Sequence, residues 1–110
     1  MAKNYVQEGG VLDYTNSTGA AILSGALVVL NKRVGVALAD IAIGATASVA
    51  VEGVFTLPKL STDDTKLGEE LYWDAANSRL TETASGNTKA GFAAADAGAG
   101  VATVALKLNA

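Results

Sequence analysis

The chain has 110 residues, and eleven acids against eight bases leave a formal charge of −3. That length supports one domain with one modest core, and the bases, unclustered apart from Lys32-Arg33, make no cationic face of the kind nucleic-acid binding needs for counterion release. Cysteine and histidine are both missing, which excludes disulfides, zinc sites with nitrogen or sulfur ligands, and Ser-His or Cys-His catalysis.

In chain order, Asn4 to Gln7 reads as a short first strand within an N-terminal arm, residues 1–10, closed by Glu8-Gly9-Gly10. Val11 to Thr15 (VLDYT) partly alternates and runs into the turn-rich NSTG at 16–19. The longest apolar run, Ala20 to Leu30, is eleven residues, short of the roughly 20 that a bilayer requires. No basic region precedes it as in a signal peptide, so the expectation is a soluble protein made in a cytoplasm. Leu27 to Leu30 turns through Asn31-Lys32 into a strand over Arg33 to Leu38. Ala47 to Leu57 alternates as one strand, with Gly53 as a bulge or bend, and Pro58 ends it because proline cannot donate to a ladder. The segment LSTDDTKLG at 60–68 is the one expected helical turn, with Ser61 as its cap, Asp64 in the capping-box position and Gly68 at its end. Leu71 to Asp74 and Arg79 to Thr83 form a hairpin around residues 75–78, and Lys89 to Ala95 with Val101 to Leu108 make the last pair. The fold expected is mainly β: a small β-barrel or β-sandwich with at most one short helix, near Ser61 to Leu67.

The chain also repeats itself. Arg33, Gly35 and Asp40 return as Lys89, Gly91 and Asp96, an offset of 56, and Ala47 to Val51 resembles Ala102 to Leu106, an offset of 55. Upstream, Gly25 to Asn31 aligns with Gly68 to Asp74 at an offset of 43, and the hairpin sequence AANSRLTETASGN takes up the difference. Units of about 25–57 and 68–110 therefore read as a structural duplication about a pseudo-twofold axis, since one such unit cannot bury its apolar face alone.

Motifs of chemistry fail one by one. A phosphate-binding loop needs a Gly-Lys step, and the chain contains none. GAGVAT at 98–103 starts like a dinucleotide fingerprint, but Thr103 holds the third glycine position and a strand follows. Glu69 and Glu70, adjacent on a strand, point to opposite faces, and Asp63-Asp64 suits a turn better than a catalytic pair. Asp40 and Asp96 sit where turn-formers sit. Tyr72-Trp73 is the one candidate binding platform: one ring points inward as a core anchor, the other outward as a contact.

The segments MAKNYVQEGG, VEGVFTLPK, LGEELYWDAANSRLT and SGNTKAGFA together resemble a family of small tailed-bacteriophage virion proteins, the capsid cement or decoration proteins. The shared blocks fall at Met1 to Tyr5, Glu52 to Lys59, Tyr72 to Asp74 and Gly86 to Thr88, in the family's order and over nearly the whole chain. The chain departs from many relatives in having Gly68-Glu69-Glu70 where they have Gly-Asp, and in its more apolar Ala20 to Leu30. Some relatives are labelled as RecA/RadA-like recombinases, but a strand-exchange ATPase needs a phosphate loop and a core of roughly 200 residues. The resemblance implies a structural protein, not an enzyme, with no catalytic, cofactor or metal residues, that binds the outside of a capsid and clamps neighbouring major capsid proteins. Its implied place is the virion exterior, after assembly in the bacterial host cytoplasm, with neither nucleic acid nor membrane as partner. A head–neck or tail subunit is the alternative, and a nucleic-acid-binding or recombination protein a remote one. Lattice points that join three capsomers favour a trimer, with a dimer at a twofold site as the other option. Candidate capsid or subunit contacts are Lys3, Asn4, Tyr5, Val6 and Gln7 in the arm, which docks by strand addition, together with Tyr72 and Trp73.

Overall fold

A computed structural model describes residues 9–110. The expected strand at Asn4 to Gln7 lies outside the described residues. Nine strands follow: β1 (Val11–Thr15), β2 (Leu27–Leu30), β3 (Arg33–Ala37), β4 (Thr46–Ala50), β5 (Val54–Pro58), β6 (Glu70–Asp74), β7 (Arg79–Thr81), β8 (Thr88–Ala93) and β9 (Thr103–Leu108). They form two antiparallel sheets, one of order β1-β4-β3-β2 and one of order β5-β9-β8-β6-β7. The mainly β expectation holds.

Three expectations are corrected. No helix forms over Ser61 to Leu67, because the main chain there is engaged across the fold: the Leu60 amide donates to Leu80, the amides and carbonyls of Thr65 and Ala97 exchange bonds, and the Ser61 carbonyl accepts from Gly100. A helix would have to withdraw all of these. The single strand expected over Ala47 to Leu57 is two strands in different sheets, with Gly53 at φ 108° where the chain changes sheet. Only glycine takes that conformation without strain. Nor is there a closed barrel: the edges of the five-stranded sheet meet at one parallel bridge, Lys59 to Leu80, so this sheet curls without sealing.

The ladders of the two sheets correspond pair by pair. Val11 faces Ala50 and Leu12 faces Val49 in the first sheet; Val54 faces Lys107 and Phe55 faces Leu106 in the second. Val36 opposite Ala50 likewise becomes Phe92 opposite Lys107, and Val28 opposite Gly35 becomes Leu71 opposite Gly91. Residues 10–51 thus find counterparts within 53–108. The register sets Ala47 against Val104, not Ala102 as the sequence alignment has it. The loops agree too. Ser24 donates its amide to Asp40 at 2.8 Å, and Leu67 donates its amide to Asp96 at 2.7 Å. Both aspartates fasten one loop to another across the fold, where their positions suggest local turns. Among the described strands only β7 lacks a counterpart, and beside it Ala90 bulges out of the β6–β8 ladder.

The two glycines of the repeat have one reason. In β8, Gly91 has φ 149° and a Cβ there would overlap the Lys107 carbonyl; in β3, a Cβ on Gly35 would lie 3.2 Å from the Ala50 carbonyl oxygen. At Gly91 the neighbouring strand leaves no room for a side chain, and at Gly35 it leaves little.

β3 joins the sheets. Its Val34 and Val36 belong to the larger core, with Leu57, Leu71, Trp73, Leu80, Leu106 and Leu108, while Ala37 belongs to a smaller one with Val28, Ile41 and Val49. Beyond the end of β4, the Asn109 side chain takes over the pairing of β3. The Val34 amide donates to Asn109 Oδ1 at 3.0 Å, and Asn109 Nδ2 donates to the carbonyls of Val34 and Val51, both at 2.8 Å. The Asn109 amide donates to Ala90 in the other sheet at 2.7 Å. One residue therefore ties both halves together.

Candidate functional site

Strand alternation puts the two rings of β6 on opposite faces. Trp73 points inward, 8% exposed and part of the larger core. It lines a hollow of about 400 Å³ with Ser24, Leu27, Pro58 and Ser78. Tyr72 is half-buried on the outer face, where its hydroxyl donates to Glu70 Oε2 at 3.0 Å and Lys89 approaches Glu70 Oε1 at 3.5 Å. The Tyr72 hydrogen bond, and after it the Lys89 charge, hold the Glu70 carboxyl below the usual range; the same bond pushes the Tyr72 hydroxyl up. This trio is a solvated sheet face with a fixed aromatic, and the two rings cannot share one ligand. Lys3, Asn4, Tyr5, Val6 and Gln7 lie outside the described residues.

Sequence reasoning missed two apolar features. The first is a cavity of about 820 Å³ lined by Leu12, Leu30, Val51 and Leu108, with Arg33, Glu52 and Lys107 also at its wall. In the second sheet the positions matching Leu12, Leu30 and Val51 hold Phe55, Trp73 and Leu108, and Leu80 of β7 lies opposite Trp73. The second sheet thus carries bulkier side chains at these positions, and Trp73 and Leu108 among them are buried. Extending the repeat upstream to residue 10 would have exposed this contrast in the sequence.

The second feature is a group of exposed aliphatics on the loops flanking β2, β3 and β4: Leu23 at 66%, Leu38 at 47% and Ile43 at 64%. The Ile22–Ile41 bridge and the Ser24–Asp40 hydrogen bond fasten these loops together. Their counterparts in the second sheet are Lys66, Ala94 and Ala99, although that half exposes Leu67 at 63% and Val101 at 44% on its own loops. Exposed aliphatics on tied loops mark a contact surface more readily than scattered ones do.

Acidic groups gather near the curled edge of the second sheet. Asp63 Oδ2 accepts from the Thr81 hydroxyl and the Glu82 amide, both at 3.1 Å. Glu82 shares a hydrogen bond with Glu69, and this, with partial burial and the nearby Asp63 and Asp64, pushes its carboxyl up to about 7. Asp63 is here a structural acceptor that fastens the 60–68 loop to β7.

A family model described as phage cement protein matches residues 6–108. The chain belongs to the phage cement protein family. No curated protein and no solved structure matches it significantly. Membership makes this cement protein a structural component of a phage capsid, so its working parts are surfaces, and the apolar cavity and the aliphatic loops are the two that stand out.

Proposed function

We propose that the protein binds the exterior of a phage head and clamps neighbouring major capsid proteins, as a trimer at lattice points where three capsomers meet, without contacting nucleic acid or membrane. The observation that carries this reading is the match to the cement family over nearly the whole chain. The exposed Leu23, Leu38 and Ile43 supply a contact surface, and repeated weak contacts become strong attachment when one oligomer bridges several capsid subunits. Residues 2–7 add a second attachment point through strand addition. We read the body as one domain of two units related by a pseudo-twofold axis and packed as a sandwich, with the matched ladders as support.

The test is co-sedimentation of purified protein with heads that lack it. Leu23→Asp combined with Ile43→Asp should weaken binding at least tenfold with the circular dichroism spectrum unchanged, and deletion of residues 2–7 should weaken it several-fold. Retention of full binding by the double variant would sink the proposed surface. Light scattering that finds a monomer at every concentration would sink the trimer.

A further inference from the structure

The second sheet is one strand longer than the first, and the extra strand marks an unused edge in its counterpart. β7 lies antiparallel along the outer edge of β6, with Tyr72 facing Thr81, Trp73 facing Leu80 and Asp74 facing Arg79. On its other side the Leu80 carbonyl accepts from the Leu60 amide at 2.8 Å, so β7 is held on both edges. The matching strand β2 is the last of its sheet. Leu30 faces Arg33 across the two-residue turn, and the Ala37 amide donates to the Ala26 carbonyl. Because an antiparallel ladder alternates, Leu27 and Val29 turn their amides and carbonyls away from β3, and among the described residues nothing meets them. Ser17, at the position of Leu60, likewise has an amide with no partner among the described residues. A strand edge of this kind is a template for one more strand.

The residues around the slot specify what it takes. Leu12 of β1 and Leu30 of β2 both line the cavity of about 820 Å³, so a residue set opposite Leu30 meets apolar surface. The charge is reversed relative to the second sheet. There β6 ends in Asp74, which pairs with Arg79 at the start of β7 at 3.9 Å. Here the matching end is Asn31, followed by the exposed Lys32 and Arg33, and neither cation has a carboxylate partner among the described residues. The complement is an acidic residue where β7 has Arg79, followed by an apolar one. Each described strand of a sister copy already has a neighbour on at least one edge, whereas a strand between β2 and Ser17 must have both edges free.

We infer that the β2 edge receives a single extended segment of the major capsid protein by antiparallel strand addition, with an acidic residue beside Lys32 and Arg33 and an apolar residue opposite Leu30. The inference rests on the capsid reading and adds to it which edge is joined and by what sequence pattern.

Proline is tolerated on an edge strand where its nitrogen faces outward, so Val29→Pro removes the outward donor and leaves the β2–β3 ladder whole. In co-sedimentation with heads that lack the protein, Val29→Pro should bind at least tenfold more weakly with its Tm unchanged. Val29→Thr, which keeps the amide, should bind within about twofold of the parent. Lys32→Glu should weaken binding several-fold. Hydrogen exchange decides independently of any variant: the amides of Leu27 and Val29 should exchange at least tenfold more slowly on heads than in the free chain. A parent that does not sediment with heads would remove the capsid reading and this inference with it. A parent that binds while those two amides stay unprotected, or while Val29→Pro or Lys32→Glu binds equally well, would overturn the inference alone. Light scattering that shows Val29→Pro breaking up an assembly of the parent would give the edge to a sister copy, and would overturn it too.

Discussion

Asn109 is one residue from the chain end, yet its removal should be felt through the whole molecule. Asn109→Ala deletes three side-chain hydrogen bonds, to the amide and carbonyl of Val34 and to the carbonyl of Val51. A typical intramolecular hydrogen bond contributes about 1 kcal/mol net, and a buried group left unpaired costs more. Val34 is fully buried, but Asn109 is half-exposed and lines the cavity, so water can reach part of the vacated site. About 3 kcal/mol is therefore an upper expectation. For a domain of this size it corresponds to a fall in Tm on the order of 10–15 °C. Asn109→Asp separates the roles: it keeps the acceptor for the Val34 amide but replaces two donated bonds with a carboxylate facing two carbonyls, so it should be at least as destabilising as alanine. Thermal unfolding followed by circular dichroism, with urea titration to check that the m-value is unchanged, measures both. An Asn109→Ala protein within about 2 °C of the parent would refute the reasoning and place the joint between the sheets in the apolar contacts of β3 alone.

Three further outcomes are expected. Gly91→Ala should destabilise by roughly 2–4 kcal/mol, from overlap with the Lys107 carbonyl and a φ that alanine resists; Gly9→Ala, with nothing within 4 Å of the added carbon, should be near neutral by the same urea titration. The raised Glu82 carboxyl means that the folded chain holds this proton more tightly than the unfolded one, so its contribution is complete below pH 4.5 and is lost as pH rises through about 7. Glu82→Gln should flatten the loss of stability across that window, and an unchanged pH profile of Tm would refute the assignment. Thr65 is fully buried, with no partner for its hydroxyl among the described residues, in the position that matches Ile22; Thr65→Val should be neutral or stabilise by about 1 kcal/mol, and a clear loss in Tm would count against it.

Strands with local signals were legible in the sequence. The β2–β3 turn at Asn31, φ 60°, and the β6–β7 hairpin follow from alternation and turn residues next to each other in the chain. The break between β4 and β5 was not legible, because Ala47 to Leu57 alternates throughout, and only the competition of two sheets for its halves splits it at Gly53. The 60–68 segment carries true capping residues, but long-range bonds to Leu80 and Ala97 outweigh a nucleus that one helical turn cannot make stable. Trp73 and Tyr72 were legible as a pair facing two ways; which ring faced inward was settled by β7, which places Leu80 against Trp73. Asn109 had no signal at all. An asparagine beside a terminus looks like solvent decoration until the fold brings Val34 to it.

The paired ladders give the asymmetry of the molecule a physical cause. At matching positions, Asn16 and Lys59 are both buried polar residues, and each donates to the carbonyl four residues on, Ala20 and Asp63 respectively. The loop scaffolds of the two halves are thus held the same way, and scaffold differences do not explain why one hollow is open. The difference lies in what was inserted and what was enlarged. The β6–β7 hairpin brings Leu80 over the second sheet, Phe55 and Trp73 replace two leucines, and that half closes on itself with Lys59 bridged to Leu80. The first half keeps Leu12 and Leu30, lacks the hairpin, and carries the exposed Leu23, Leu38 and Ile43. A half that leaves apolar surface open gains free energy whenever some segment covers it.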